Sequence, residues 1–264
     1  MPPSSRPPVN QALTQYGLED RLVVLARTLH ARDPEMEVAL KESVANWNRF
    51  GETCLGQALY RHRSFFQNPS GTPAWSHTEL SYFRSMVPQA AITDLVADKQ
   101  PAKVDLVRAE ILLTTPCSFI LPRNWPGLSD RSEWVASLEF IQVKPRHFDE
   151  YRNVMRDYIG PAARKLVGGG RFGTFRAMET AAVIYRDPAV QTDWNQIHLC
   201  EFNPVGFEGF GREFETALRD ERGAGGTSDV FADLAGVRAV PRWTFNDPVI
   251  EMDLAVGQAG KPEK

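Results

Sequence analysis

Residues 134–254 predict an α+β unit of β-α-β-β-α-β order, and residues 11–130 predict a mostly helical region before it. Three observations carry that expectation. Apolar residues recur at helical spacing twice in the C-terminal half, at Phe148, Tyr151, Met155, Ile159, Ala162 and Leu166, then at Phe207, Phe210, Phe214 and Leu218. Runs rich in β-branched and aromatic residues flank each stripe. Pro145 and the Gly168-Gly169-Gly170 run separate strand from helix and helix from strand.

In order, the C-terminal half gives a strand over 135–144 and a helix from Phe148 to about Leu166 with a kink at Pro161. Strands follow over 172–185 and 194–203, and a second amphipathic helix holds the phenylalanine stripe. A flexible stretch over 221–229 leads to a last strand over 237–245, with 249–254 as its continuation. The order is the split βαβ, or ferredoxin-like, arrangement. No internal repeat stands out.

The first half reads as helices. A weakly bounded one covers 18–30. Asp33-Pro34-Glu35 is a helix start, and the stripe Met36, Leu40, Val44, Trp47 extends it to about His62. Ser76 and Glu79 form a capping-box pattern before Leu80, Phe83 and Val87. A short helix runs to about Ala97. The segment 104–121 reads as a strand or hairpin around Pro116, and the proline-rich stretch 122–132 marks a domain boundary. Residues 1–10 and 255–264 read as disordered ends.

Composition removes several classes. The formal net charge is −3, which gives no reason to expect nucleic acid. Three separated cysteines make no disulfide framework, which predicts a reducing, cytoplasmic setting. No apolar run reaches the ~18 residues of a membrane helix. The five histidines form no metal-binding spacing, so no metal is expected. The glycine run follows a helix instead of opening one, which argues against a phosphate loop.

A four-stranded sheet with both helices on one face needs cover on the other. On the 194–203 strand, one parity is Trp194, Gln196, His198, Cys200 and Phe202, and the other includes Ile197 and Leu199. The second set suits the helix side. The first, large and partly polar, suits a lined cavity or an interface with a second copy. The run Trp194 to Phe202, and the strand ending at Pro145 before Phe148-Asp149-Glu150-Tyr151, resemble NIPSNAP-like members of the dimeric α/β-barrel superfamily. The resemblance covers about the last 120 residues. It implies a homodimer with a cavity in each sheet. Members include cofactor-free oxygenases, haem-degrading enzymes, cyclases, lactone isomerases and proteins without known activity, so the fold does not fix the reaction.

His198 is the first candidate for acid–base chemistry, or else a tied core histidine. Glu139, in an apolar strand, is either a paired carboxylate or a perturbed acid. Arg176 shares a face with Thr174 and Met178; it binds an anionic ligand or makes a salt bridge to Glu139 or Glu201. Trp194, Gln196, Phe202 and Met178 complete the expected ligand wall. Asn195 reads as a strand-end cap and Tyr151 as packing. The expected function is binding of a hydrophobic, aromatic or polyketide-like molecule by a homodimer acting without a cofactor as an oxygenase, cyclase or isomerase. The alternative is a non-catalytic assembly module. Haem on His147 or His198 is third. A pocket of ~300 Å³ or more beside His198 would favour a ligand, and a filled interior would favour assembly.

Overall fold

The computed structural model describes residues 13–15, 21–33, 36–45, 54–65, 75–96, 103–122, 133–222 and 226–251. The N-terminal half is built mainly of strands, which corrects the helical expectation. Its elements are β1 (Leu13–Gln15), β2 (Val23–Ala31), α1 (Met36–Ala45), β3 (Cys54–Phe65), β4 (His77–Phe83), α2 (Gln89–Val96) and β5 (Val104–Pro122). Only α1 and α2 match predicted helices. The reasons are local. Both faces of β2 are buried, so it lacks the apolar–polar alternation that marks a strand. The apparent capping box is spent across strands: Ser76 Oγ accepts the Ala31 amide at 2.7 Å, and Glu79 pairs with Arg27. The segment 104–121 is one 19-residue strand extending to Pro122, with Cys117 in a left-handed backbone conformation (φ 65°).

The C-terminal half follows its predicted order. It comprises β6 (Val135–Val143), α3 (Phe148–Val154), a π-helical turn (Met155–Ile159), α4 (Gly160–Gly168), β7 (Phe172–Arg186), β8 (Gln196–Phe202), α5 (Pro204–Arg222), α6 (Gly226–Val237) and β9 (Arg238–Glu251). Two details differ. Helix α6 occupies much of the stretch read as flexible and buries Val230, Leu234 and Val237. Pro161 sits in the first turn of α4, where its missing N–H costs nothing. The irregularity lies just before it, where the Gly160 N–H bonds the carbonyl of Met155, five residues back.

All strands join one sheet, ordered β1-β5-β2-β4-β3-β9-β6-β8-β7, and β7 pairs back to β5. Eight strands therefore close an antiparallel barrel, with β1 attached outside the ring on β5. The ring contains two units of the same β-α-β-β-α-β order, β2 to β5 and β6 to β9. The repeat lies in topology and hardly in residues. The equivalent strands HTELSYF and QIHLCEF share only Leu80 with Leu199 and Phe83 with Phe202.

Three cores follow. Strand residues of both units fill the barrel, among them Tyr60, Leu80, Tyr82, Leu138, Ile197 and Leu199. The outer face of the first unit packs on α1 through Leu40, and that of the second packs on α3 to α6. The sheet face expected to need a second copy is thus covered by the chain's own N-terminal half. The face assignment on β8 is also corrected. Ile197 and Leu199 point into the barrel, while His198, Cys200 and Phe202 lie beneath the helices.

Candidate functional site

The site lies between the sheet of the second unit and its helices. On β6 and β8, Glu139 and His198 stand directly opposite each other. From above, α3 brings Tyr151, and the π turn brings Met155 and Ile159. A π turn inserts an extra residue into the helical ladder and re-aims the side chains beside it. Here both ends of the turn face a cavity of about 60 Å³. Its other walls include Phe175, Cys200, Phe210, Phe214, Arg238 and Trp243, with Phe231 at the rim, 40% exposed. Its volume is well below the ~300 Å³ of a preformed small-molecule pocket.

The polar wall is Glu139, His198 and Arg238, and Tyr151 bonds His198. The Tyr151 hydroxyl is 2.9 Å from Nε2 of His198. His198 Nδ1 is 4.0 Å from Oε2 of Glu139, and Arg238 Nη1 is 3.7 Å from the same oxygen. Burial raises the Tyr151 pKa well above the ordinary phenol value, so the hydroxyl keeps its proton and donates. Burial first, and the Arg238 charge second, hold the His198 pKa well below its usual value, so the ring is neutral at pH 7. A neutral ring that accepts at Nε2 carries its proton on Nδ1, toward the Glu139 carboxyl. Burial pushes the Glu139 pKa up, and Arg238 opposes that. The carboxyl group keeps 21% of its side chain accessible, next to the cavity. Burial also pushes the Cys200 thiol well up, so it is no thiolate. Trp243 is fixed by its Nε1–H donating to Ser137 Oγ at 2.7 Å.

A ladder of rings closes the helix side. Phe172 meets Phe202 at 5.0 Å and Phe210 at 5.4 Å, and Phe210 stacks on Phe214 at 5.4 Å. Phe210 and Phe214 belong to the apolar stripe of α5 read from the sequence.

Of the predicted site residues, His198, Glu139 and Phe202 come together on this face. Gln196 shares it and is buried, and neither amide atom has a hydrogen-bond partner among the described residues. Arg176, Met178 and Trp194 lie inside the barrel, on the opposite side of the sheet. Arg176 donates to Glu201 at 3.1 Å and to the Tyr82 hydroxyl at 2.9 Å, the salt-bridge alternative. Trp194 does not share the parity of His198, because β8 starts only at Gln196. It packs on Trp75 and Phe140, and its indole donates to Glu110 at 2.7 Å. Asn195 caps the end of β6 through both its amide atoms. Tyr151, Arg238 and Trp243 were not expected in the site. For Tyr151 the available signal was a phenol on the apolar stripe of a helix, where a buried hydroxyl needs a partner.

Haem on either candidate histidine does not fit. His198 Nε2 is engaged by Tyr151, and the adjacent cavity is far smaller than a porphyrin. His147 is half-exposed and holds Glu150 through Nδ1 at 2.8 Å. Among the described residues, no His/Cys/Asp/Glu cluster suits a metal ion, and no helix is long and apolar enough to cross a membrane.

Fold and site together define a two-unit ferredoxin-like α/β barrel with a helix-covered pocket, lined by Glu139, His198 and Arg238, in its second unit. Solved structures align over nearly the whole chain, and the first of them shares the fold. An anthrone oxidase-like protein aligns at 10% identity over 95% of this chain and 100% of its own, with a TM-score of 0.55. A candidate monooxygenase from Lactobacillus acidophilus NCFM aligns at 8% identity over 89% and 97%, with a TM-score of 0.49. A variant chlorite dismutase from Candidatus Nitrospira defluvii gives 8% identity over 89% and 93%, with a TM-score of 0.44. No protein-family model and no curated protein matches the sequence.

Proposed function

We propose that the protein binds a small hydrophobic, aromatic or polyketide-like molecule under α3 to α6 and removes a proton from it without a cofactor. The observation that carries this reading is the His198–Glu139 pair, with Tyr151 bonded to His198, on one wall of a cavity whose other walls are mostly aromatic and aliphatic. His198 is neutral, as a base at neutral pH must be. The ligand displaces the Tyr151 hydroxyl from Nε2, which then takes a proton from an acidic C–H or O–H of the ligand, and Glu139 as a carboxylate stabilises the imidazolium that forms. The electron pair left behind delocalises into the ligand's rings. Isomerisation, cyclisation and reaction with dioxygen as co-substrate all continue from that anion. A ring-sized ligand enters by displacing Phe231 and the α5 phenylalanines. The small volume favours a second reading, a non-catalytic NIPSNAP-like assembly module.

Anthrone tests the two readings, being a planar ketone whose methylene is acidified by two flanking rings. The enzyme reading expects quenching of Trp243 fluorescence and accelerated loss of anthrone in aerated buffer. His198→Asn should keep the fold and slow turnover by about 10²- to 10⁴-fold. A parent protein that neither binds nor consumes anthrone would leave the assembly module as the better reading. A folded His198→Asn variant with the parental rate would remove His198 from the site.

A further inference from the structure

The buried arginines of this fold are held in two ways. Arg27 pairs with Glu79, Arg108 donates to Glu110 at 2.7 Å, and Arg176 donates to Glu201 at 3.1 Å. Each of these cations is neutralised by a direct hydrogen bond to a carboxylate. Arg238, at the start of β9, keeps only 9% of its side chain accessible, yet the carboxylate oxygen facing it, Oε2 of Glu139, is 3.7 Å away. That separation is too long for a hydrogen bond.

Arg238 is also the buried arginine that borders the cavity. Glu139 Oε2 lies between its guanidinium and Nδ1 of His198, which is 4.0 Å from the same oxygen, so base and cation flank one carboxylate on one wall. On its other side the guanidinium carbon stands 5.9 Å from the centre of the Tyr151 ring. Burial keeps the Tyr151 hydroxyl and the Cys200 thiol protonated, so neither supplies a second negative charge. A guanidinium carries five N–H donors in a fixed fork, and no carboxylate fills them here. Fixed donors beside a dry cavity are what stabilise an oxygen that gains charge during a reaction.

We propose that Arg238 holds the oxygen of the ligand, and that the ligand class is a ketone or phenol fused to apolar rings. The inference rests on the reading of His198 as a base. As Nε2 of His198 takes the proton from a C–H conjugated to the carbonyl, the C–H electron pair forms the enolate double bond. The carbonyl pair moves onto oxygen, and the Arg238 N–H groups hold the charge that appears there. No further reactant enters this step.

2-Naphthol and naphthalene test the inference, being the same fused rings with and without an oxygen. Ionised 2-naphthol mimics the enolate, and its absorption spectrum reports the ionisation. Bound to the parent, it should ionise at least about one pH unit below the free compound, because a neighbouring cation lowers the pKa whereas burial alone raises it. Arg238→Gln should abolish that shift, and Arg238→Lys, which keeps the charge, should retain most of it. Naphthalene should bind the parent and Arg238→Gln equally. Ionisation at or above the pH of the free compound, with naphthalene still bound, would overturn the role of Arg238 and leave the apolar site standing. A shift that survives in Arg238→Gln would overturn it as well. If neither compound binds the parent, the ligand-binding reading falls and this inference falls with it.

Discussion

In the N-terminal unit, Arg27 of β2 stands opposite Glu79 of β4; in the C-terminal unit, Glu139 of β6 stands opposite His198 of β8. The positions are topologically equivalent, on the first and third strands of each unit and on the helix-covered face. Their surroundings differ. Arg27 and Glu79 are in direct contact and almost fully buried, and Ser81 donates to the second carboxylate oxygen at 3.2 Å. Glu139 has no contact shorter than 3.7 Å to Arg238 or 4.0 Å to His198, and it borders a cavity. One unit uses a charged pair to close its core. The other keeps its titratable groups loosely held and next to space. Poorly satisfied buried acids and bases cost stability, and functional sites are where folds tolerate that cost.

The largest test of this contrast is removal of each arginine. Arg27→Met leaves Glu79 buried without its partner and should cost about 3–5 kcal/mol in urea unfolding. Arg238→Met should cost at most about 2 kcal/mol, because Glu139 can take up a proton instead. Equal losses would mean that the second pair is as structural as the first.

A smaller effect lies in the pH dependence. His198 takes up a proton less readily in the folded chain than in the unfolded one. As pH falls below the ordinary imidazole value of 6.5, the unfolded state gains protons first, and stability falls. Glu139 acts in the opposite sense. The folded chain holds its proton more tightly, so stability falls as pH rises past the ordinary carboxyl value of 4.5. His198→Asn should therefore flatten the acid-side loss, and Glu139→Gln should flatten the loss on the way up from pH 4.5. His77 and His62, also lowered by burial, keep part of the acid-side slope in place. An unchanged profile in His198→Asn would show that His198 is not the depressed base.

The smallest expected change is at the rim. Phe231→Ala, at a residue already 40% exposed, should cost about 1 kcal/mol or less. It should also tighten anthrone binding by opening the mouth of the cavity. Weaker binding would make Phe231 part of the ligand wall instead of its cover.

The sequence made the C-terminal order legible because that sheet carries amphipathic helices whose stripes are long and regular. It hid the N-terminal strands because a barrel strand buried on both faces has no polar side to alternate with, as Leu25, Arg27 and Leu29 on one face of β2 and Val24, Ala26 and Thr28 on the other illustrate. His198 and Glu139 were found by being unusual residues in apolar strands. Tyr151 and Arg238 were not, since only the fold places α3 and the start of β9 over them. The second copy was expected for a sound reason, an uncovered sheet face. The cover comes from a unit with almost no residue likeness to the one it covers.

Closure of the ring also constrains how the chain reaches its native state. One seam joins β3 to β9, setting Ala58 against Glu251 and Phe65 against Thr244. These strands lie far apart in sequence, so the first unit emerges from the ribosome with a bare edge long before its partner strand exists. Pairings of such long range are slow to form, and unpaired edges are sticky while they wait. Arg61 and Arg63 lie on that edge and are exposed, and both meet Asp247 once the seam closes. Before closure, their charges repel another copy of the same edge, which is how exposed strands avoid pairing with the wrong chain.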